Sequence, residues 1–131
     1  MNLITRADLL CKCCAQGNPH PNLLLAVNQL QALAQRPLEI HSACRCEKHN
    51  AEVGGAPKSQ HLLGKAADVS APPLTQLELY LLAEQVPFLW QGAIGLYPQP
   101  FIHIDVREYR ARWYREATLE MPISVYVTRA R

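Results

Sequence analysis

The chain predicts an α+β domain with an antiparallel sheet and helices packed on one side of it. Two kinds of apolar pattern carry this, together with their order. Leu23, Leu24, Val27, Leu30 and Leu33 recur at helical spacing between Pro21 and Gln35. Alternating or short apolar runs follow at Leu38–Ala43, Lys65–Val69, Gly92–Leu96 and Phe101–Val106. Helical patterns come first and strands later with one helix interposed, the order of an α+β domain.

Taken in turn, Thr5-Arg6-Ala7-Asp8 resembles a capping box with Asp in place of Glu and predicts a short first helix to about Leu10. Asn18-Pro19-His20-Pro21 breaks the chain, with His20 expected on the surface, and Pro21 suits the first turn of the long helix. Pro37 ends that helix, and the Leu38–Ala43 strand delivers Arg45 at its tip. Glu47–Val53 reads as a short helix stopped by Gly54-Gly55, and Thr75–Gln85 as an amphipathic one. Gly92–Leu96 and Phe101–Val106 read as antiparallel strands joined by a turn at Pro98-Gln99-Pro100. Arg110–Glu116 is expected to be a short helix, and Pro122–Thr128 a terminal strand or tail.

At 131 residues, 49% of them hydrophobic, residues 1–131 are expected to form one folded domain with a real core. A net charge of +2 is too small to argue for nucleic acid. Arg107, Arg110, Arg112 and Arg115 read as a solvated helix face balanced by Glu108 and Glu116, in preference to a contact with an anionic polymer. No apolar run reaches the ~18 residues that span a bilayer, so no membrane partner is expected. No signal peptide is visible, which predicts a protein cytoplasmic as synthesised that would meet a target outside the cell only on release, for example by phage lysis. Five cysteines, Cys11, Cys13, Cys14, Cys44 and Cys46, are an odd count without a secretory signal. They argue against a disulfide framework and are read as reduced thiols, with a second, structural metal there not expected. Nothing suggests a coiled coil, so a monomer is the default.

The chemistry lies in Ser59-Gln60-His61-Leu62-Leu63-Gly64-Lys65-Ala66-Ala67-Asp68 and in Phe101-Ile102-His103-Ile104-Asp105. These segments offer two imidazoles and a carboxylate, and three such ligands plus one open position are what a hydrolytic zinc ion needs. His61 falls at the end of a loop, Asp68 on the strand that follows, and His103 on a neighbouring strand.

With Ser42-Ala43-Cys44-Arg45-Cys46-Glu47-Lys48-His49-Asn50 and Val53-Gly54-Gly55-Ala56-Pro57-Lys58 ahead of them, these segments closely resemble the zinc D-Ala-D-Ala carboxypeptidase family. That family also includes phage L-Ala-D-Glu endopeptidases and shares its fold with the hedgehog signalling domain. The likeness is to short, single-domain bacterial and prophage members and runs from about Leu9 to Trp113, leaving 117–131 as an extension. It implies one catalytic zinc on His61, Asp68 and His103, and a peptidoglycan stem peptide as substrate. Arg45 matches an arginine that contacts substrate near the scissile bond. A guanidinium suits a carboxylate or polarised carbonyl because it donates two parallel hydrogen bonds; the plainer role is a salt bridge with Glu47. Ser59 either donates to substrate or caps its turn.

Many relatives carry an acid three residues before the last histidine, where this chain has Pro100. Asp105 is the substitute, leaving the same strand face as His103, either as general base or as the partner that orients a ligand. Tyr97 is a candidate for contacting the oxyanion, whereas His41 and His49 read as structural. The expected activity is hydrolysis of a D-Ala-D-Ala or L-Ala-D-Glu type bond by metal-activated water. The alternative, prompted by Pro100, is a zinc-bearing binding module of the same fold without turnover. The donor set would also accept other divalent ions.

Overall fold

The computed structural model describes residues 1–116, 119–122 and 124. A 3-10 turn at Arg6–Leu9 precedes α1 (Pro21–Ala34), β1 (Glu39–Ser42), α2 (Glu47–Glu52) and β2 (Ala66–Ser70). Then come α3 (Gln76–Ala83), α4 (Pro87–Trp90), β3 (Ala93–Leu96), β4 (Ile102–Asp105), β5 (Ala111–Glu116) and β6 (Leu119–Met121). The six strands form one sheet in the order β1-β2-β4-β3-β5-β6. Neighbours are antiparallel except β3 and β5, which run parallel. The fold is α+β.

Local chemistry sets the helix ends. The Asp8 carboxylate accepts from the Thr5 backbone N–H at 2.8 Å, closing the first turn. His20 is half-buried rather than exposed: its Nδ1 accepts from Asn22 N at 3.0 Å and caps α1, with Pro21 in the first turn. At the far end the buried Gln31 side chain accepts from Leu38 N, which ties the helix exit to the start of β1. Thr75 and Glu78 cap α3 reciprocally. The one-turn α4 has no counterpart in the sequence pattern.

Strand alternation divides the sheet into two faces with different tasks. Ala67, Val69, Ile94, Leu96, Ile102, Ile104 and Tyr114 pack with Leu23, Val27, Leu30, Leu79, Val86 and Leu89 in the core, under α1, α3 and α4. Asp68, Gly95, His103, Asp105 and Trp113 are the alternate residues and face the other way. The helices build the core, and the opposite face is left for chemistry.

The Ala111–Glu116 segment is a strand where a helix was expected. Its core-side residue Arg112 is charged, and that hides the alternation. Arg112 reaches Glu84 through Nε at 2.9 Å and Nη2 at 2.7 Å. It also donates to the carbonyls of Leu89, Trp90 and Gly92 around the end of α4. The arginines are therefore not a solvated helix face. The expected Pro122–Thr128 element falls mostly outside the described residues. Among the described residues, no helix is long and apolar enough to cross a membrane.

Candidate metal centre

β2 and β4 pair so that Asp68 lies directly across from His103. The loop before β2 returns His61 to the same point. Gly64 makes that return possible: its φ is +70°, and a Cβ there would fall 2.2 Å from the Asn18 carbonyl oxygen. His61, Asp68 and His103 are all buried, and one ligand atom from each lies within 4.8 Å of the others.

Hydrogen bonds fix which ring atoms face the centre. His61 Nδ1 lies 2.7 Å from the Ala43 carbonyl, which can only accept, so Nδ1 is the donor. Nε2 then turns its lone pair to Asp68 Oδ2, 3.3 Å away. His103 repeats the arrangement with its nitrogens exchanged. Nε2 donates to Asp105 Oδ2 at 2.7 Å, and Nδ1 faces Asp68 Oδ1 at 3.1 Å. Two imidazole lone pairs meeting one carboxylate leave electron-rich atoms opposed unless a cation lies between them. A proton can serve on His103, and a divalent metal ion satisfies all three donors together. The residues therefore fit a zinc ion in donor type, number and convergence.

The surrounding electrostatics agree. Burial disfavours the His103 imidazolium, yet its hydrogen bonds to the Asp105 and Asp68 carboxylates outweigh it and raise the pKa to about 9. Burial also opposes ionisation of Asp68, but His103 and His61 hold that carboxyl well below the usual range. Asp105 is brought to about 2 by His103 and Arg107 against its own burial. Both carboxylates of the centre therefore stay ionised, each with an arginine beside it: Arg45 at Asp68 and Arg107 at Asp105.

Arg45 sits at the end of β1 as expected. It binds the centre rather than Glu47: Nη2 donates to Asp68 Oδ2 at 3.2 Å, Nη1 to Asn50 Oδ1, and Nε to Ser42 Oγ. Ser59 Oγ accepts from His61 N at 3.1 Å and shapes the ligand's turn. Tyr97 accepts from Trp113 Nε1 at 2.7 Å. Asp105 is fully buried. Its Oδ2 takes His103 and Arg107 Nη2, and its Oδ1 takes Arg107 Nε and N, at 2.7–3.2 Å. His41, expected to be structural, bonds Ser70 Oγ at 2.7 Å.

The centre opens into a groove of about 590 Å³ bordered by Arg45, Ser59, Tyr97, Tyr109 and Trp113. Residues 2–105, most of the chain, match the model of the family described as Peptidase M15. The chain belongs to the peptidase M15 family. It is accordingly a hydrolase of the metallopeptidase class, with the buried His61-Asp68-His103 set as its candidate metal site. A comparison with curated proteins found no match.

Sequence reasoning missed two neighbours of this M15 centre. Trp113 lies 5.2 Å, ring centroid to centroid, from His103, and Arg107 spans Asp105 and the Trp113 face. Arg107 was within reach of the period-2 rule that linked His103 to Asp105. Trp113 was concealed by the helix expectation. The cysteines are free thiols, as expected, and Cys11, Cys14 and Cys46 bring their sulfurs together as a second group that could hold a metal ion.

Proposed function

We propose that this M15 metallopeptidase hydrolyses amide bonds of peptidoglycan stem peptides, at a D-Ala-D-Ala or an L-Ala-D-Glu type bond. The observation that carries the reading is the convergence of His61 Nε2, Asp68 and His103 Nδ1 at the floor of a basic groove. Arg45, Lys58, Arg107 and Arg115 line it, and Asp68 is its one acidic lining residue among those described. Stem peptides carry free carboxylates, and a cationic groove attracts them.

Zinc on His61, Asp68 and His103 would supply Lewis acidity and a water that ionises near neutral pH. The chain's own residues supply the rest. Ala43 and Asp105 hold the two rings with their lone pairs inward. Arg45, locked by Ser42 and Asn50, presents its guanidinium beside Asp68, where it can grip a substrate carboxylate or a polarised carbonyl. Tyr97 and Ser59 are proposed substrate contacts on the groove wall. Asp105 is assigned the orienting role, since its close partners are ring, guanidinium and backbone N–H donors and it does not line the groove.

One observation favours the second reading, a metal-holding module without turnover: with Pro100 in place of an acid, no carboxylate but Asp68 lines the described groove. Incubating the zinc-loaded protein with muropeptides and following new amino groups by mass spectrometry separates the two. Cleavage that stops with a chelator and in His61→Ala is expected, and the fragments name the bond. A loaded histidine site that cuts no stem peptide would leave the binding module.

A further inference from the structure

Residues 9–17 fold back onto the segment that carries Arg45. Cys44 N donates to the Leu9 carbonyl at 3.1 Å, and Cys11 N and O close a turn with Gln16 O and Ala15 N at 2.7 Å each. Gly17 lets the two segments touch, because a Cβ there would lie 2.7 Å from Cys44 Cβ. This packing places the thiols of Cys11, Cys14 and Cys46 within 4.8 Å of one another. The Cys13 sulfur is 3.9 Å from that of Cys46. All are free thiols.

We propose that Cys11, Cys14 and Cys46 bind a second, structural zinc ion, with Cys13 the nearest donor for the fourth position. Four sulfurs about 2.3 Å from a tetrahedral zinc lie about 3.8 Å apart, close to the Cys13–Cys46 separation. Cys11 and Cys14 have the Cys-x-x-Cys spacing common in structural zinc sites. The turn supports a thiolate as well as a thiol. Although burial opposes charge on Cys11, backbone N–H groups of Cys46, Cys13 and Cys14 point at its sulfur and favour the anion. Cys44 stays outside the set, its buried sulfur packed against Gly17. On binding, each coordinating thiol releases its proton to solvent as the sulfur takes the metal, with no change of oxidation state.

The ion would staple the N-terminal turn to the Ala43–Cys46 segment. Ala43 orients His61 and Arg45 contacts Asp68, so the staple holds two supports of the first centre without touching it. The two sites are chemically distinguishable, because only one contains sulfur.

The test is metal content and cobalt spectroscopy on protein purified under reducing conditions. Two zinc ions per chain are expected, falling to one in Cys14→Ser, in Cys46→Ser and, independently, in His61→Ala. Cobalt-loaded wild type and His61→Ala should both show thiolate-to-cobalt charge-transfer absorption, which needs no cysteine variant and so survives a folding failure. The cysteine variants should lose that band, and removal of the thiolate-bound zinc should lower Tm. A single zinc per chain that remains in Cys14→Ser, a cobalt adduct without the band, or a Cys13–Cys46 disulfide found in its place would overturn the proposal. His61→Ala retaining the band while losing cleavage keeps the two centres' tests apart.

Discussion

Replacing Asp105 by Asn separates the two roles open to this carboxylate. Asp105 is fully buried, and its oxygens meet only donors: His103 Nε2 and Arg107 Nη2 at one, Arg107 Nε and N at the other. Whichever way the amide is placed, its NH2 group confronts a donor. Lost orientation of a metal-binding imidazole typically costs 10- to 100-fold in metal affinity, or about 1.4–2.7 kcal/mol. The uncompensated Arg107 charge should further cost about 3 kcal/mol of folding stability. The assay is a zinc competition titration against a chromophoric chelator, paired with kcat at saturating zinc. The expected outcome is weaker zinc binding by 10- to 100-fold with turnover of loaded enzyme within about tenfold of wild type. Loss of a general base instead costs about 10²–10⁴ in rate. Unchanged zinc affinity with a rate fall of that size would refute the orienting role and return Asp105 to acid–base work.

Gly95 lies under the Trp113 ring, and an added Cβ would sit 2.2 Å from it. Gly95→Ala should displace Trp113, lower stability by about 1–3 kcal/mol in urea denaturation and raise KM for a groove-bound peptide; unchanged values would show the ring moves freely. Glu84 is ionised more readily than usual, since Arg112 and the Tyr80 hydroxyl outweigh its burial. A depressed carboxylate pKa contributes stability above the unfolded value that disappears as pH falls through the folded one. Glu84→Gln should therefore cost about 1.5–3 kcal/mol at neutral pH and much less at an acid pH below the folded pKa of Glu84, where the carboxyl has taken up its proton. An equal cost at both pH values would place the effect in packing rather than charge.

What the sequence reveals divides along physical lines. α1, α3, β3 and β4 announce themselves because their buried sides are apolar and their ends carry Pro or Thr/Glu caps. The ligand set is legible because His61, Asp68 and His103 stand in segments that resemble a zinc-peptidase family, whereas a His and an Asp seven residues apart say little by themselves. β5 is hidden because Arg112, on its core side, is neutralised by Glu84 from another element, a pairing no local window contains. α4 is a single turn, too short to show a period. The cysteine cluster depends on residues 11–14 and 46 meeting through turn and backbone contacts, which spacing along the chain does not encode. Asp105 shows the reach of alternation and its limit: the shared face with His103 is readable, while the Arg107 guanidinium that occupies the same carboxylate is visible only in three dimensions.

The most direct measurement is an anomalous difference map recorded at the zinc edge on crystals grown with zinc. A peak about 2.0–2.2 Å from His61 Nε2, an Asp68 oxygen and His103 Nδ1 is expected. Density at those residues without a peak, under conditions where the thiolate cluster is occupied, would contradict the metal centre and the hydrolytic reading built on it.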